Sequence, residues 1–300
     1  MRSQRSKAWS ATALVVFFAA GSAQALDKGI VGPFSGKPNQ KVQLADNRYV
    51  CVLTRVQGEF AGGGELVLVM KDKNGWYLQV NSQSESGVTG GAYCFRKEHF
   101  MPAPEEAIVA AASLGQSPFV RQASEVLNKN WDNDNDCTTG NTILWLGDAA
   151  AILSGMAGKF VGGGEIASVV QSFDPKKVSY IHAHSCQEAN IGAYGYSFFV
   201  GKPHTGSLPK FQNFGPALGT EARVATQGDQ SKSLPLIGTD MGMCYFTKIS
   251  GEFRGGGEIA EIVAGPDPSS GQEMWWLRAR SKSESGIEAR ARCMLFIQHD

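Results

Sequence analysis

One octapeptide pattern occurs three times in this chain and constrains its fold more than any other feature. The pattern Gly-x-Phe-x-Gly-Gly-Gly-Glu occupies residues 58–65, 158–165 and 251–258. Internal similarity of this kind indicates duplication of one supersecondary unit. The chain therefore has to fold as three homologous units, and each unit has to provide the same local structure around its glycine triplet.

A second matching block follows each octapeptide, at 76–95, 179–198 and 275–295. Its side chains alternate with a period of two, which predicts strands with one buried and one outer face. The predicted buried faces are Trp76, Leu78, Val80; Ser179, Ile181, Ala183; and Trp275, Leu277, Ala279. The predicted outer faces are Tyr77, Gln79, Asn81; Tyr180, His182, His184; and Trp276, Arg278, Arg280.

The repeats predict a mainly β protein built from three homologous antiparallel units, at residues 26–100, 137–200 and 241–300. Each unit is expected to hold about four strands, with the glycine triplet as a tight turn, because glycine readily adopts positive φ. We expect a row of three small sandwiches or barrels. The alternative is a single body with pseudo-threefold symmetry.

Two stretches between the units differ in character from the repeats. A proline followed by acids, with a glycine at the end, predicts a helix over 104–115, and Ser117-Pro118 predicts a second short helix to about residue 128. Residues 101–136 are therefore interpreted as a helical insertion or linker. Residues 201–240 contain four prolines and are interpreted as a linker.

The cysteines follow the register of the repeats. Cys51 and Cys244 each lie seven residues before an octapeptide, and Cys94 and Cys293 close the same two repeats. The second repeat has Ala151 and Ser197 at these positions, so both members of the pair are missing together, as a bonded pair predicts. The register therefore selects one of 15 pairings. The predicted disulfides are Cys51–Cys94, Cys137–Cys186 and Cys244–Cys293.

The first 25 residues have the layout of a secretory signal peptide. Arg2, Arg5 and Lys7 precede a short apolar run at 9–20, and Ala-Gln-Ala at 23–25 is a small-x-small cleavage site. No later apolar run is long enough to predict a membrane helix. We expect a secreted or periplasmic protein in an oxidising compartment, where cysteines form disulfides.

Charge and composition exclude several functional classes. The chain has 28 basic and 28 acidic residues, and removal of the leader would leave a net charge of −3, so no nucleic-acid partner is expected. Nine of the 36 glycines lie in the three triplets, which makes the glycine excess a property of the repeats rather than of disorder. Common nucleophile, zinc-protease and phosphate-binding motifs are absent from the sequence.

The recurring acidic residues have a structural and a catalytic interpretation. Glu65, Glu165 and Glu258 end the octapeptides, and a second glutamate recurs in each later block. Retention in all three copies favours a carboxylate that accepts backbone N–H bonds at the glycine turn. The alternatives are a contact to calcium or another ligand that is repeated in each unit, and a pair of catalytic carboxylates, as in a glycosidase-like exported hydrolase.

Two groups of side chains are candidate metal ligands. Asp132, Asp134 and Asp136 resemble the opening of a calcium loop, which makes calcium a candidate cofactor, although the glycine and glutamate of such loops are missing. His182 and His184 share a predicted strand face with Cys186, a pattern that can bind zinc unless the cysteine is in a disulfide.

The predicted outer faces carry the functional hypothesis. Tyr77, Tyr180 and Trp276 each have polar neighbours, and the third repeat is expected to carry a local basic face formed by Arg278, Arg280, Arg290 and Arg292. An aromatic ring beside hydrogen-bonding groups suits a sugar or a protein partner. The sequence therefore predicts a secreted, non-catalytic protein that binds glycans or a cell-surface or protein partner at several repeats. A hydrolase and a purely structural or inhibitory protein are the alternatives.

Overall fold

The structure, a computed structural model, describes residues 29–83, 87–99, 120–127, 137–146, 149–171, 178–186, 191–199 and 221–296. Within these residues the regular structure is strand, apart from one 3-10 turn at Lys97–His99. The mainly β prediction is therefore confirmed. The expected signal peptide at 1–25 lies outside the described residues.

Each repeat contributes six strands rather than the expected four. In the first repeat they are β1 (Ile30–Gly36), β2 (Gln40–Ala45), β3 (Tyr49–Gly58), β4 (Leu66–Asp72), β5 (Gly75–Asn81) and β6 (Val88–Arg96). In the second they are β7 (Val120–Leu127), β8 (Thr138–Leu146), β9 (Ala149–Gly158), β10 (Ile166–Gln171), β11 (Val178–Ser185) and β12 (Ile191–Phe199). In the third they are β13 (Ala222–Thr226), β14 (Gln230–Gly238), β15 (Gly242–Gly251), β16 (Ile259–Pro266), β17 (Glu273–Ser281) and β18 (Ile287–Leu295).

The strands form three six-stranded antiparallel sheets, and each sheet is shared between two repeats. Sheet I joins repeats 1 and 2 in the order β2-β5-β4-β9-β12-β7. Sheet II joins repeats 2 and 3 as β13-β18-β15-β10-β11-β8, and sheet III joins repeats 3 and 1 as β1-β6-β3-β16-β17-β14. The expected row of separate sandwiches is therefore wrong. Each repeat supplies three strands to each of two sheets, and pairing between repeats satisfies edges that separate units would expose.

The three phenylalanines of the octapeptides meet where the repeats converge. The ring centroids of Phe60, Phe160 and Phe253 lie 5.7 to 6.4 Å apart, all in edge-on geometry. Their backbones form a closed cycle, because each N–H donates to the carbonyl oxygen of another at 2.7 to 2.8 Å. These contacts define a pseudo-threefold axis, so the chain is one body with three related parts.

The predicted buried faces of β5, β11 and β17 are confirmed. The first face of each strand is buried, with Trp76 and Trp275 fully enclosed. Each tryptophan places its indole N–H on a backbone carbonyl, Trp76 on Tyr49 at 2.7 Å and Trp275 on Gly242 at 2.9 Å. The core therefore lies between the sheets, and the aromatic and polar residues of the second face point outward.

Parts of both inter-repeat stretches belong to the sheets. Residues 120–127 were expected to be helical, but they form β7, which pairs with β12 along its whole length. This cross-strand pairing overrides the local helix signal. Residues 222–238, in the expected linker, contain β13 and β14, and Pro235 is compatible with β14 because β14 is an edge strand. The other expected helix, 104–115, lies outside the described residues.

The turn at the glycine triplet has a different cause from the expected one. Positive φ occurs at the first glycine of each octapeptide, for example 114° at Gly58 and 107° at Gly251, and not within the triplets. A Cβ at Gly58 would lie 2.2 Å from the carbonyl oxygen of Gly87, so only glycine fits there.

All three predicted disulfides are present. Cys51–Cys94 joins β3 to β6, and Cys244–Cys293 joins β15 to β18 at the equivalent position. In the second repeat the directly opposed residues of β9 and β12 are Ala151 and Ser197. The joint loss of both cysteines is therefore the loss of one cross-strand bridge.

Candidate functional site

The three predicted aromatic and polar rows lie on the outer faces of three different sheets. Strand β5 carries its row in sheet I, β11 in sheet II and β17 in sheet III, and each of these strands is next to the edge of its sheet. The pseudo-threefold axis relates the three rows but does not bring them together. Any site formed by one row is therefore separate from the other two.

The first row does not offer an exposed aromatic ring, so that part of the prediction is wrong. Tyr77 is only 8% exposed. Its hydroxyl donates to Sδ of Met70 at 3.0 Å, and Nζ of Lys41 lies 3.6 Å from the ring centroid. The lysine comes from β2, a strand that the sequence pattern did not predict. This cation–π contact covers the ring and removes it as a docking surface.

The second row combines a half-buried Tyr180 with two stacked histidines. The rings of His182 and His184 are nearly parallel, with centroids 6.2 Å apart. Nδ1 of His182 lies 2.9 Å from Oδ1 of Asn141 on the neighbouring strand. Partial burial, with contributions from His184 and Lys248, holds the pKa of His182 below its ordinary value. This imidazole is therefore kept neutral further into the acidic range than a free histidine.

The third row is the most open and the most charged. Trp276 is half-buried, and its indole N–H donates to the carbonyl oxygen of Gly265 at 3.0 Å, which fixes the ring. Arg278 leaves 43% of its side chain exposed, and Arg280 is exposed. In the part of the chain that the structure describes, no carboxylate forms a salt bridge with Arg280.

Two charged residues beside this row were not predicted. Arg55 on β3 and Glu261 on β16 lie in register with Arg278 across sheet III. Glu261 is 3.8 Å from Arg278 and 4.0 Å from Arg55. The outer surface formed by Arg55, Glu261, Trp276, Arg278 and Arg280 is called the sheet III face below. It has three cations and one anion, and only the strand pairing between repeats 3 and 1 could have identified it.

Two further arginines of the third repeat do not extend this face. Arg290 and Arg292 lie on β18 in sheet II. Arg290 contacts Glu288 at 2.7 Å and Glu221 at 3.1 Å, so its charge is balanced locally. The expectation of a single basic face containing all four arginines is therefore wrong.

The recurring glutamates of the octapeptides are buried in the turns. Glu65, Glu165 and Glu258 are all at most 2% exposed. Glu165 and Glu258 each accept an N–H from the first glycine of their own triplet at 2.9 Å. Glu65 accepts the backbone N–H of Gln83 at 3.3 Å. Their carboxylates therefore act as backbone acceptors that fix the turn conformation.

A charged cleft lies beside the glycine triplet of the third repeat, where Val161 and Gly162 of the second repeat also contribute to its wall. The cleft has a volume of about 520 Å³ and is lined by Glu252, Arg254, Glu258, Lys282 and Glu284, together with small residues. Glu252 lies 2.7 Å from Nε of Arg254, whose Nε also donates to the carbonyl oxygen of Val161. Two of its three carboxylates are therefore already held by protein groups, and Glu284 is the exposed one.

The candidate calcium ligands Asp132, Asp134 and Asp136 lie outside the described residues. Calcium stays a prediction for this part of the chain. Within the residues that the structure describes, there is no helix with the length and apolarity that a membrane crossing requires.

Comparison with protein families, with curated proteins and with solved structures finds no match to this chain. The function is therefore inferred from the geometry of the three outer faces and of the cleft.

Proposed function

We propose that this chain is an exported, non-catalytic binding protein and that its sheet III face binds an anionic saccharide. The observation that carries the proposal is the row on β17, where a fixed tryptophan and two arginines with exposed side chains share one outer face. The three disulfides are typical of proteins from oxidising compartments, and they support the exported location that the leader predicts.

The spacing and charge of the row suit an acidic sugar chain. Side chains two residues apart on a strand lie about 7 Å from each other, so the row extends over about 14 Å. An indole ring offers an apolar surface with a polar edge, and a guanidinium group binds oxyanions through paired hydrogen bonds. Three arginines against Glu261 leave the face with a net charge of +2.

Among the three rows, this one is favoured by its exposure. Tyr77 is covered by Lys41. In the second row, His182 is already in contact with Asn141 on the neighbouring strand. The three outer faces therefore differ in what they can bind, and we propose one principal site rather than three equivalent weak ones.

The second candidate function is hydrolysis in the charged cleft of the third repeat. It is favoured by one observation, namely that the third repeat places three carboxylates around a cleft. Glu252 and Glu258 already accept bonds from an arginine and from backbone N–H groups, which is the role of structural carboxylates. Binding at the sheet III face therefore remains the principal proposal.

The test is calorimetric titration of the purified protein with sulfated, carboxylated and neutral oligosaccharides of equal length. We expect binding of the acidic sugars and weaker binding at higher salt, because the contacts are exposed charges. The double variant Arg278→Ala/Arg280→Ala should weaken binding at least about tenfold, and Trp276→Ala should weaken it by a similar factor.

The matched control is Arg48→Ala, which removes one arginine from an exposed pair with Asp46 on another part of the surface. It should leave the affinity unchanged. Equal affinity of the double variant and the wild type, or a preference for neutral sugars, would contradict the proposal. Release of shortened oligosaccharides that is lost in Glu284→Gln would support the hydrolase instead.

A further inference from the structure

The disulfide Cys137–Cys186 differs from the other two in its access to solvent. Cys51, Cys94, Cys244 and Cys293 are buried in the core. Cys137 is exposed and Cys186 is half-buried, at the end of the β8 and β11 pair in sheet II. A reductant can therefore reach this bridge without any opening of the core.

Nothing in the repeated fold requires this bridge. Cys186 takes the position of Gln83 in the first repeat and Lys282 in the third, where each side chain lies over the last glycine of a triplet. A Cβ on that glycine would lie 2.4 Å from Gln83, 2.8 Å from Cys186 and 2.5 Å from Lys282. Since a glutamine and a lysine cover the turn equally well, the disulfide is a feature of the second repeat alone.

A histidine stands beside the accessible bridge. Nε2 of His184 lies 3.1 Å from Sγ of Cys186, and Nδ1 lies 2.7 Å from Oγ1 of Thr139. With its proton on Nδ1, His184 would donate to the threonine hydroxyl and present the lone pair of Nε2 to the sulfur. A hydrogen bond on the far nitrogen is the usual way in which a metal-binding histidine is oriented.

The ligand atoms of Cys137, His184 and Cys186 all lie within 4.8 Å of one another. In a tetrahedral zinc site, two thiolate sulfurs are about 3.8 Å apart, given zinc–sulfur bonds of about 2.3 Å. Cleavage of the bond would free the two sulfurs to move to that separation, with Nε2 of His184 already beside them.

We propose that Cys137–Cys186 is a reducible disulfide whose cleavage creates a binding site for a zinc-type divalent cation. A dithiol reductant transfers two electrons and two protons to the bridge, which yields two thiols and the oxidised, cyclic reductant. On metal binding the two thiols release two protons, and the ligands are two thiolates and Nε2 of His184. Water fills the fourth position, as in three-ligand zinc sites.

The first test is graded reduction of the folded protein with dithiothreitol, followed by alkylation and peptide mass spectrometry. We expect Cys137 and Cys186 to be alkylated at reductant concentrations that leave the other four cysteines bonded. Reduction of all three bridges in parallel, or of a core bridge first, would overturn the proposal.

The second test uses Co²⁺ as a spectroscopic probe after anaerobic removal of the reductant. We expect one equivalent to bind, with a thiolate-to-cobalt charge-transfer band that the oxidised protein lacks. Thr139→Val should weaken binding by about tenfold, because losing the group that hydrogen-bonds a metal-binding histidine costs about 10- to 100-fold in metal affinity. His184→Ala removes the ligand itself and should weaken binding by more than about 100-fold.

His182→Ala is the matched control, because it removes the imidazole that stacks on His184 but keeps all three proposed ligands. It should retain the band and the affinity. Cys137→Ser/Cys186→Ser, checked for folding by near-ultraviolet circular dichroism, should abolish the band. A band that persists in this variant, or an affinity insensitive to His184→Ala, would overturn the proposal.

Discussion

The backbone N–H of Phe160 donates to the carbonyl oxygen of Phe60 at 2.8 Å, which joins two repeats that lie one hundred residues apart. Phe253 completes the cycle with both of them. The first glycine of each octapeptide adds a second ring of bonds, since each donates to the carbonyl oxygen of a turn glutamate in another repeat. The octapeptide is therefore the part of each repeat that holds the three repeats together.

Truncation of one phenylalanine in this cycle should destabilise the whole molecule. Phe253→Ala removes a fully buried ring that contacts two others, and we expect a loss of about 3–5 kcal/mol in the free energy of unfolding. Denaturant unfolding measures this. Met241→Ala, at an exposed position, should change stability by no more than about 0.5 kcal/mol. A similar small effect for both variants would contradict a central role of the ring cluster.

The missing bridge of the second repeat can be restored. Ala151→Cys with Ser197→Cys places cysteines in the register of Cys51 and Cys94, so a fourth disulfide should form spontaneously. The chain-entropy account gives at most about 4 kcal/mol of added stability for a loop of this length, and less where packing is disturbed. Non-reducing peptide mapping detects the bond. Two free thiols in the oxidised protein would contradict the equivalence of the repeats.

The units and their disulfides were predictable, whereas their assembly was not. The alternation at Trp76 and Leu78 is a local signal. The absence of cysteine at both Ala151 and Ser197 indicates that these two positions form one cross-strand contact. Pairing of β4 with β9 has no such signal, because a strand at the edge of one repeat has the same period-two pattern whichever neighbour it meets. The local sequence of β7 predicts a helix, and its pairing with β12 has no local signal because β12 lies far along the sequence.

The buried turn glutamates should be more important for stability than exposed ones. Glu165→Ala leaves the N–H of Gly162 without its acceptor, and we expect a cost of about 1–3 kcal/mol. Glu165→Gln keeps an acceptor oxygen and should cost less. Thermal or urea unfolding compares them with Glu284→Ala, an exposed glutamate of the third repeat. An equal effect of the alanine variants at 165 and 284 would contradict the assigned role.

A cluster of charged side chains on sheet II should make the free energy of unfolding depend on pH. Partial burial raises the pKa of Glu288, but bonds from Lys248, Arg290 and Arg223 outweigh it and lower the pKa to about 2. Because the folded-state pKa is below the ordinary value of 4.5, the contribution is fully present above pH 4.5 and is lost as the pH falls toward 2.

Glu288→Gln should therefore be less stable than the wild type near neutral pH, by about 1 kcal/mol for a partly exposed cluster. The difference should shrink below pH 4.5 and vanish near pH 2. Unfolding curves at several pH values measure it. A difference that is constant between pH 2 and pH 7 would contradict the role of the ionised carboxylate.

Only part of the candidate site could be predicted from the sequence. The residues of the β17 row follow from the period-two pattern, so Trp276, Arg278 and Arg280 could be selected. The burial of Tyr77 depends on Lys41 from an unrecognised strand, and Glu261 reaches Arg55 only because sheet III joins two repeats. Contacts between distant strands have no local signature, which is why these features required the structure.

The most direct test of the proposed binding face is a nuclear magnetic resonance titration of the isotope-labelled protein with a sulfated oligosaccharide. We expect saturable shifts of the Trp276 indole N–H and of backbone amides on β17 and its neighbours β14 and β16, with sheets I and II unperturbed. Shifts confined to the charged cleft, shifts centred on another sheet, or no shifts at concentrations that bind in calorimetry would contradict the account.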